Sequence, residues 1–247
     1  MRTVLSMAAA TAIAAGFATA THAQEANNTG FYVSANVGSS SLSDPEVTYY
    51  DVGGTFGGTG ATDTATAKLD TKSAVTFGGA IGYDFGMIRS DVELQYSRHA
   101  IDSITFVSLN GTPTTLSAAD RADVCAYLDV TSCGGSGNTF TIPGSRVRQL
   151  SALANVWIDV PLGKSIVPYA GGGLGISGFE VDGEGKGKFA WQLGAGVAFN
   201  LSSSIALTAD YRHREVSNTE VPFDSSSGFR VGKLKTDSLQ AGVRLMF

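Results

Sequence analysis

The chain has 247 residues, 31 of them glycine, with 17 basic against 22 acidic side chains and a formal net charge of −5. It carries no basic stripe that would neutralise a row of phosphates, which excludes a nucleic-acid partner. Helix-period patterns are scarce and turn residues plentiful, so the class is all-β.

Residues 1–23, MRTVLSMAAATAIAAGFATATHA, hold one positive charge, Arg2, followed by an apolar stretch from Val4 to Ala18. They close on Thr21-His22-Ala23, a small-x-small cleavage pattern. The stretch is too short for a spanning helix, which needs roughly 20 residues, and has no polar face to suit a core helix. It reads as a signal peptide cut after Ala23, with Ala20 as the alternative site. Residues 24–247 then form one exported domain in which 16 basic residues face 22 acidic ones, a net charge of −6. No second apolar run approaches spanning length.

From residue 31 onward the pattern is a period of two, the alternation of a strand with one apolar face. The first apolar side is Phe31, Val33, Ala35, Val37, and a long link at about 40–72 follows. This link, rich in Gly and Thr, is expected to be mobile. Next come Val75, Phe77, Gly79, Ile81, Tyr83, then the short turn Asp84-Phe85-Gly86, then Ile88, Val92, Leu94, Tyr96.

A second long link, about 103–144, contains TLSAADRADVCAYLDV. Ser117 with Asp120 three residues on predicts a capped helix over 118–128. Cys125 and Cys133 lie in the same link, and a close, even pair in an exported chain is expected to form a disulfide.

The fourth strand is Leu150, Ala152, Ala154, Val156, Ile158, followed by the short turn DVPLGKS (159–165). The fifth is Ala170, Gly172, Leu174, Ile176, so glycine-rich that either face is open. After a link at 179–187 come Phe189, Trp191, Leu193, Ala195, Val197, Phe199, the short turn NLSSS, and Ile205, Leu207, Ala209, Tyr211. A last link, 216–233, leads to Leu239, Ala241, Val243, Leu245, Phe247.

Each segment runs about 9–11 residues, the length of a tilted strand crossing hydrocarbon. Eight of them, with short turns alternating with long links, predict an eight-stranded antiparallel transmembrane up-and-down β-barrel with short periplasmic turns and long extracellular loops. Threaded up and down, Phe31, Tyr83, Phe199 and Phe247 form one aromatic girdle, and Tyr96, Trp191 and Tyr211 the other. Trp157 falls on the inward parity.

The inward parity also gathers Tyr32, Asn36, Thr76, Gln95, Ser151, Asn155, Gln192 and Gln240 with three acids and three arginines: Asp91, Glu93, Asp210 and Arg89, Arg212, Arg244. An eight-strand barrel is just wide enough for side chains to fill. Balanced charges there are expected to pair as a static polar core, because unpaired buried charge is costly. An ion path through rearranged pairs is the alternative.

The run FAWQLGAGVAFNLSSSIALTADYRHRE (189–215), with VPYAGGGLGIS before it and a terminal Phe247 preceded by Leu245 and Val243, resembles the small opacity-type, OmpA-like outer-membrane barrels. That resemblance implies a Gram-negative outer membrane, with Phe247, Leu245 and Val243 as the assembly signal. It further implies barrel-assembly machinery, periplasmic chaperones, outer-membrane lipid and lipopolysaccharide as partners. Family members serve as surface antigens, adhesins or envelope proteins, so a host or surface ligand at the loops is expected.

Three features invite other readings. Gly173-Leu-Gly175-Ile-Ser-Gly178 fits the dinucleotide string G-x-G-x-x-G, but the mechanism needs a helix to follow and a hairpin follows instead. Gly163-Lys164-Ser165 lacks the leading glycine of a phosphate loop. Asp210, His213 and Ser217 contain the residue types of a hydrolytic triad, the basis of a minor alternative as a lipid-modifying enzyme. Only His99 and His213 remain after cleavage, so neither a metal site nor a cofactor is expected. The predicted role is non-enzymatic: envelope structure and surface interaction, with a narrow porin as the runner-up.

Overall fold

Alternation of apolar and polar side chains cannot bury either face of an isolated strand. Such strands must pair edge to edge until the sheet closes, and in this chain it does. The computed structural model describes residues 29–53, 62–127, 134–141, 144–163, 165–181, 184–222 and 224–247. The expected signal peptide, 1–23, lies outside the described residues, as does Cys133.

Fourteen strands and one helix occur among the described residues: β1 (Gly30–Leu42), β2 (Glu46–Val52), β3 (Thr62–Thr71), β4 (Ala74–Asp84), β5 (Ile88–Leu109), β6 (Thr112–Pro113), α1 (Ala118–Tyr127), β7 (Thr139–Thr141), β8 (Arg146–Asp159), β9 (Ile166–Val181), β10 (Glu184–Asn200), β11 (Ile205–Val216), β12 (Thr219–Pro222), β13 (Ser227–Val231) and β14 (Leu234–Met246). Eight of these close a ring in the order β1-β4-β5-β8-β9-β10-β11-β14. Every pairing is antiparallel and β14 returns to β1. The closing register sets Tyr32 opposite Met246 and Leu42 opposite Thr236. Closure removes the unpaired edge that a membrane would not tolerate.

One rim carries tight connections. Between β4 and β5 the Asp84 carboxylate accepts the Gly86 N–H at 2.7 Å, and Gly86 takes a positive φ of 106° that favours glycine. Between β10 and β11 the Ser202 hydroxyl accepts from the N–H groups of Ser204 and Ile205.

The opposite rim differs from the expectation of plain loops. The first and last long links form hairpins, β2–β3 and β12–β13, and these pair with each other through β13 and β2. The distal half of β5 continues past the ring to pair with β3 and β7. The result is a crown of sheet ordered β12-β13-β2-β3-β5. Of the first link, only its glycine-rich tip at 54–61 lies outside the described residues. The third link shrinks from the expected 179–187 to 182–183, because β9 and β10 extend into it.

Helix α1 begins with the predicted reciprocal cap. The Ser117 hydroxyl accepts the Asp120 N–H at 3.2 Å, and the Asp120 carboxylate accepts the Ser117 N–H at 2.8 Å. That hydroxyl and N–H hold the Asp120 carboxyl below the usual carboxylate range. Next to it Asn138 ties the second link together, donating to the carbonyls of Phe106 and Thr114 and accepting the Leu116 N–H.

The molecule is apolar outside and polar within. Ile81, Leu239 and Phe31 are each about two-thirds exposed, in a band with Phe77, Val92, Leu150 and Leu174. Soluble monomers rarely expose contiguous apolar patches beyond a few hundred Å². A band running round the ring is a lipid-facing surface. The aromatic girdles are in place: Phe31 meets Tyr83 edge-on at 5.0 Å at the short-turn rim, and Phe77 meets Tyr96 at 5.3 Å at the other. The described helix is not long and apolar enough to cross a membrane.

Candidate functional site: the barrel lumen

Within a strand, alternate residues point to opposite sides of the sheet, so the inward parity of eight strands meets at the barrel axis. All six predicted luminal residues converge there. Glu93 is 1% exposed, and Arg89, Asp91, Asp210, Arg212 and Arg244 are also buried.

Nearest the short-turn rim, Arg89 grips Asp159 through two hydrogen bonds, 2.7 Å from Nε and 2.9 Å from Nη2. Arg244 stands 4.0 Å from the same carboxylate. Both guanidinium groups lie against the rings of Tyr32 and Tyr169.

One layer further in, Asp91 accepts three hydrogen bonds: from the Tyr32 hydroxyl at 2.6 Å, Trp157 Nε1 at 2.9 Å and Asn155 Nδ2 at 2.7 Å. Arg212 bridges Glu93 and Asp210, while the Tyr169 hydroxyl donates to the second oxygen of Asp210 at 2.8 Å. Arg214 reaches Glu93 at 3.5 Å and donates to Gln192 Oε1 at 3.1 Å. Gln192 in turn donates to Asn155. Four carboxylates and four guanidiniums therefore interlock across β1, β5, β8, β9, β10, β11 and β14.

Asp159, Tyr169 and Arg214 are the members absent from the sequence prediction. Asp159 falls one residue past the expected end of its strand, and carrying the alternation one step further would have reached it. Arg214 has the inward parity of Arg212, but its neighbour His213 gave the segment the look of a polar rim.

The glycines of β9 acquire a reason here. A Cβ on Gly171 would run into the Trp157 ring and one on Gly173 into the Asn155 carboxamide. These positions make room for bulky partners on β8, and the whole Gly173–Gly178 string lies inside β9 with no helix after it.

The remaining space is small. A cavity of about 20 Å³ lies among Tyr32, Asn36, Asp91, Glu93, Trp157 and Arg212, room for little more than one water molecule. Above the polar layers, Leu42, Leu69, Ile101, Val147, Leu153 and Phe179 close into an apolar cluster under the crown, with Val47, Ile104 and Val231 packed on it. This plug also escaped the sequence prediction: Leu153 sits on the polar parity of its strand, and Leu42, Leu69 and Phe179 fall in stretches read as links.

The triad residues do not assemble. Asp210 points into the lumen, whereas His213 faces outward, its Nδ1 2.8 Å from Asp237 and its ring 5.6 Å from Trp191. Among the described residues no group of His, Cys, Asp and Glu is placed to hold a metal ion. Cys125 lies on α1, and the expected pairing with Cys133 falls partly outside the described residues. Val243, Leu245 and Phe247 all lie on the outward parity, Phe247 donating its N–H to the Phe31 carbonyl at 2.9 Å.

A closed, eight-stranded, inside-out barrel narrows the comparison to one kind of protein. The model of the outer membrane protein beta-barrel domain matches residues 9–247. The chain belongs to this family. Its membership implies a bacterial outer membrane, with the tight turns periplasmic and the crown extracellular. Two uncharacterized proteins, of Brucella suis biovar 1 and Brucella abortus strain 2308, are 25% and 26% identical over 168 and 171 residues. Each alignment covers 59% of this chain and 52% of the relative, so the chain spans about half the length of the curated relatives it matches.

Among solved structures, the barrel is similar to Neisserial surface protein A, with TM-score 0.51 and 16% identity over 88% of this chain and 97% of that one. It is also similar to OprG of Pseudomonas aeruginosa, with TM-score 0.50 and 11% identity over 89% and 98%. At such identities the likeness is one of fold.

Proposed function

We propose that this outer-membrane barrel is a non-conducting, non-enzymatic envelope protein that engages partners through its extracellular crown. The observation that carries the reading is the double seal of the lumen. Interlocked ion pairs fill its lower part around a 20 Å³ cavity, and an apolar cluster closes it beneath the crown. A path for hydrated ions would have to break both.

The crown supplies the interaction half of the reading. Its sheet is fixed by paired strands rather than free loops, and ordered surfaces lose less entropy on binding. An open cleft of about 390 Å³ at its base is lined by Glu46, Thr48, Lys188, Glu220 and Arg230, a size that accommodates a small polar ligand or part of a larger one.

A narrow diffusion channel is the second reading. It is favoured by four buried luminal atoms that lack a hydrogen-bond partner among the described residues, Asn36 Oδ1, Gln95 Oε1, Gln240 Oε1 and Arg214 Nε, since unsatisfied polar atoms invite water. Single-channel recording of the refolded chain in planar bilayers separates the two. Silence across voltage is expected. Regular steps that change in Asp91→Asn or Arg244→Gln would replace the static core with a small porin.

A further inference from the structure

The cleft at the base of the crown has a definite origin. β11 stays paired with β10 as far as Val216, opposite Ala190, and the Ser217 N–H still donates to the Phe189 carbonyl at 2.9 Å. Beyond that bond the two strands part company. From Thr219 the chain pairs with β13 instead, while β10 continues beside β9 as far as Glu184. The opening of about 390 Å³ lies in this fork, with Lys188 on the β10 side and residues of β2, β12 and β13 on the other.

The polar groups of the cleft are not matched to one another. Glu220 and Arg230 form a loose pair at 3.8 Å, and the Thr48 hydroxyl meets that of Thr66 at 3.0 Å. The side chains of Lys188, Glu46, Asn218 and Thr219 have no hydrogen bond or ion pair among the described residues. Glu46 makes no ion pair even with Lys68, directly opposite it on β3. Lysines such as Lys68 and Lys235 are exposed, and water serves them without a partner. Lys188 differs: it is half-buried, on the inward parity of Ala190 and Gln192. Thr219 is only 6% exposed and its hydroxyl oxygen is covered. A polar atom so placed is costly to leave unpaired.

Such a set selects its ligand by elimination. A simple anion would meet Glu46 and Glu220, and a simple cation would meet Lys188 and Arg230. No aromatic ring lines the cleft for a neutral sugar to stack on. A molecule carrying both a carboxylate and an ammonium satisfies Lys188 and Glu46 together, each through a charge-assisted hydrogen bond. Asn218 and Thr219 remain for its other polar atoms, and the volume lies within the range of small-ligand sites.

We propose that the cleft between β10 and the crown binds a small zwitterion, a free α-amino acid or a short peptide. Lys188 takes the carboxylate, Glu46 takes the ammonium, and the Thr219 hydroxyl donates to the carboxylate. The inference rests on the crown being the interacting part of a sealed barrel, and it names what the crown holds.

The full chain, refolded into phosphatidylcholine nanodiscs, is titrated with glycylglycine and followed by NMR of the Lys188, Asn218 and Thr219 amides. Saturable shifts at these amides are expected. N-acetylglycylglycine lacks the ammonium and glycylglycine amide lacks the carboxylate. Each should bind about tenfold more weakly, the loss expected for one charged hydrogen bond. Lys188→Gln should bind glycylglycine no better than its amide, and Glu46→Gln no better than the acetylated form. Lys68→Gln should bind as wild type does. Glycine is titrated alongside: affinity equal to that of glycylglycine assigns the site to free amino acids, and weaker affinity assigns it to peptides.

No saturable shift with glycine or glycylglycine would overturn the site. So would equal affinity for the two blocked compounds, or unchanged binding in both cleft variants. A loss in Lys68→Gln as large as in Lys188→Gln would overturn the assignment to these residues. Single-channel recording of the same preparation keeps the two readings apart. Conducting steps together with the amide shifts would refute the sealed barrel and keep the site, whereas silence without shifts would refute the site alone.

Discussion

The pair Arg89–Asp159 is the sharpest place to ask whether the lumen is dry. It is bidentate, at 2.7 and 2.9 Å, with side chains 3% and 6% exposed. Removing one partner of such a pair leaves an uncompensated buried charge and costs about 3–5 kcal/mol. Arg89→Gln should fall near about 3 kcal/mol, because Arg244, 4.0 Å from Asp159, still offers a counter-charge. Asp159→Asn should approach about 5 kcal/mol, since it leaves Arg89 and Arg244 facing each other over two tyrosine rings. The double variant Arg89→Gln/Asp159→Asn should cost less than the sum of the singles by about 2–3 kcal/mol, the signature of direct coupling. Reversible urea unfolding in lipid vesicles, followed by the fluorescence of Trp157 and Trp191, measures all three. Singles below about 1 kcal/mol, or strict additivity, would show that water screens the pair and would refute the sealed core.

Other consequences are testable on their own. Gly173→Ala places a methyl group where the Asn155 carboxamide sits; displacing that group from Asp91 and Gln192 should cost about 1–3 kcal/mol in the same unfolding assay, and a neutral result would mean that the Asn155 bridge is dispensable. In the crown, the Asp224 carboxylate accepts the N–H groups of Ser226 and Ser227 and both their hydroxyls, which lowers its pKa to about 2. A depressed carboxyl stabilises the fold above its unfolded value of 3.8 and loses that contribution as pH falls towards 2. The β12–β13 turn should therefore loosen in this window, and Asp224→Asn should flatten the transition seen by NMR of the Ser226 and Ser227 amides. If Cys125 and Cys133 are bridged, neither thiol of the oxidised protein reacts with an alkylating agent until a reductant is added; labelling before reduction would sink the bridge.

The ring was legible because lipid enforces the alternation strictly, and each of the eight strands had to show an apolar outward face over its full crossing. Parity alone placed Trp157 inside, where its indole meets Asp91. The crown was not legible. Segment 62–71 mixes Thr, Asp and Ala, and segment 46–52, though rich in Val and Tyr, has apolar residues on both parities, so neither shows the one-sided alternation that marks the ring strands. Their order comes from partners far along the chain, as where Tyr49 stands opposite Phe229 and their rings meet at 5.7 Å. The luminal plug failed for a related reason. Leu153 and Phe179 occupy positions that are polar deeper in the barrel, and only the crown above them makes an apolar inside favourable. Asp159 shows the third limit, that strand ends are the least certain part of an alternation.

The pairing of β2 with β13 bears on how such a cylinder comes apart. β1 leads into β2 and β13 leads into β14, so the contact between the two links prolongs the joint between the strands at either end of the ring. Parting β1 from β14 would require peeling β2 from β13 as well. Under lateral tension in the bilayer, or while being extracted from it, this wall should resist splitting along that joint, and a rupture should begin on the side of β8, β9 and β10, where no crown strand among the described residues spans the gap.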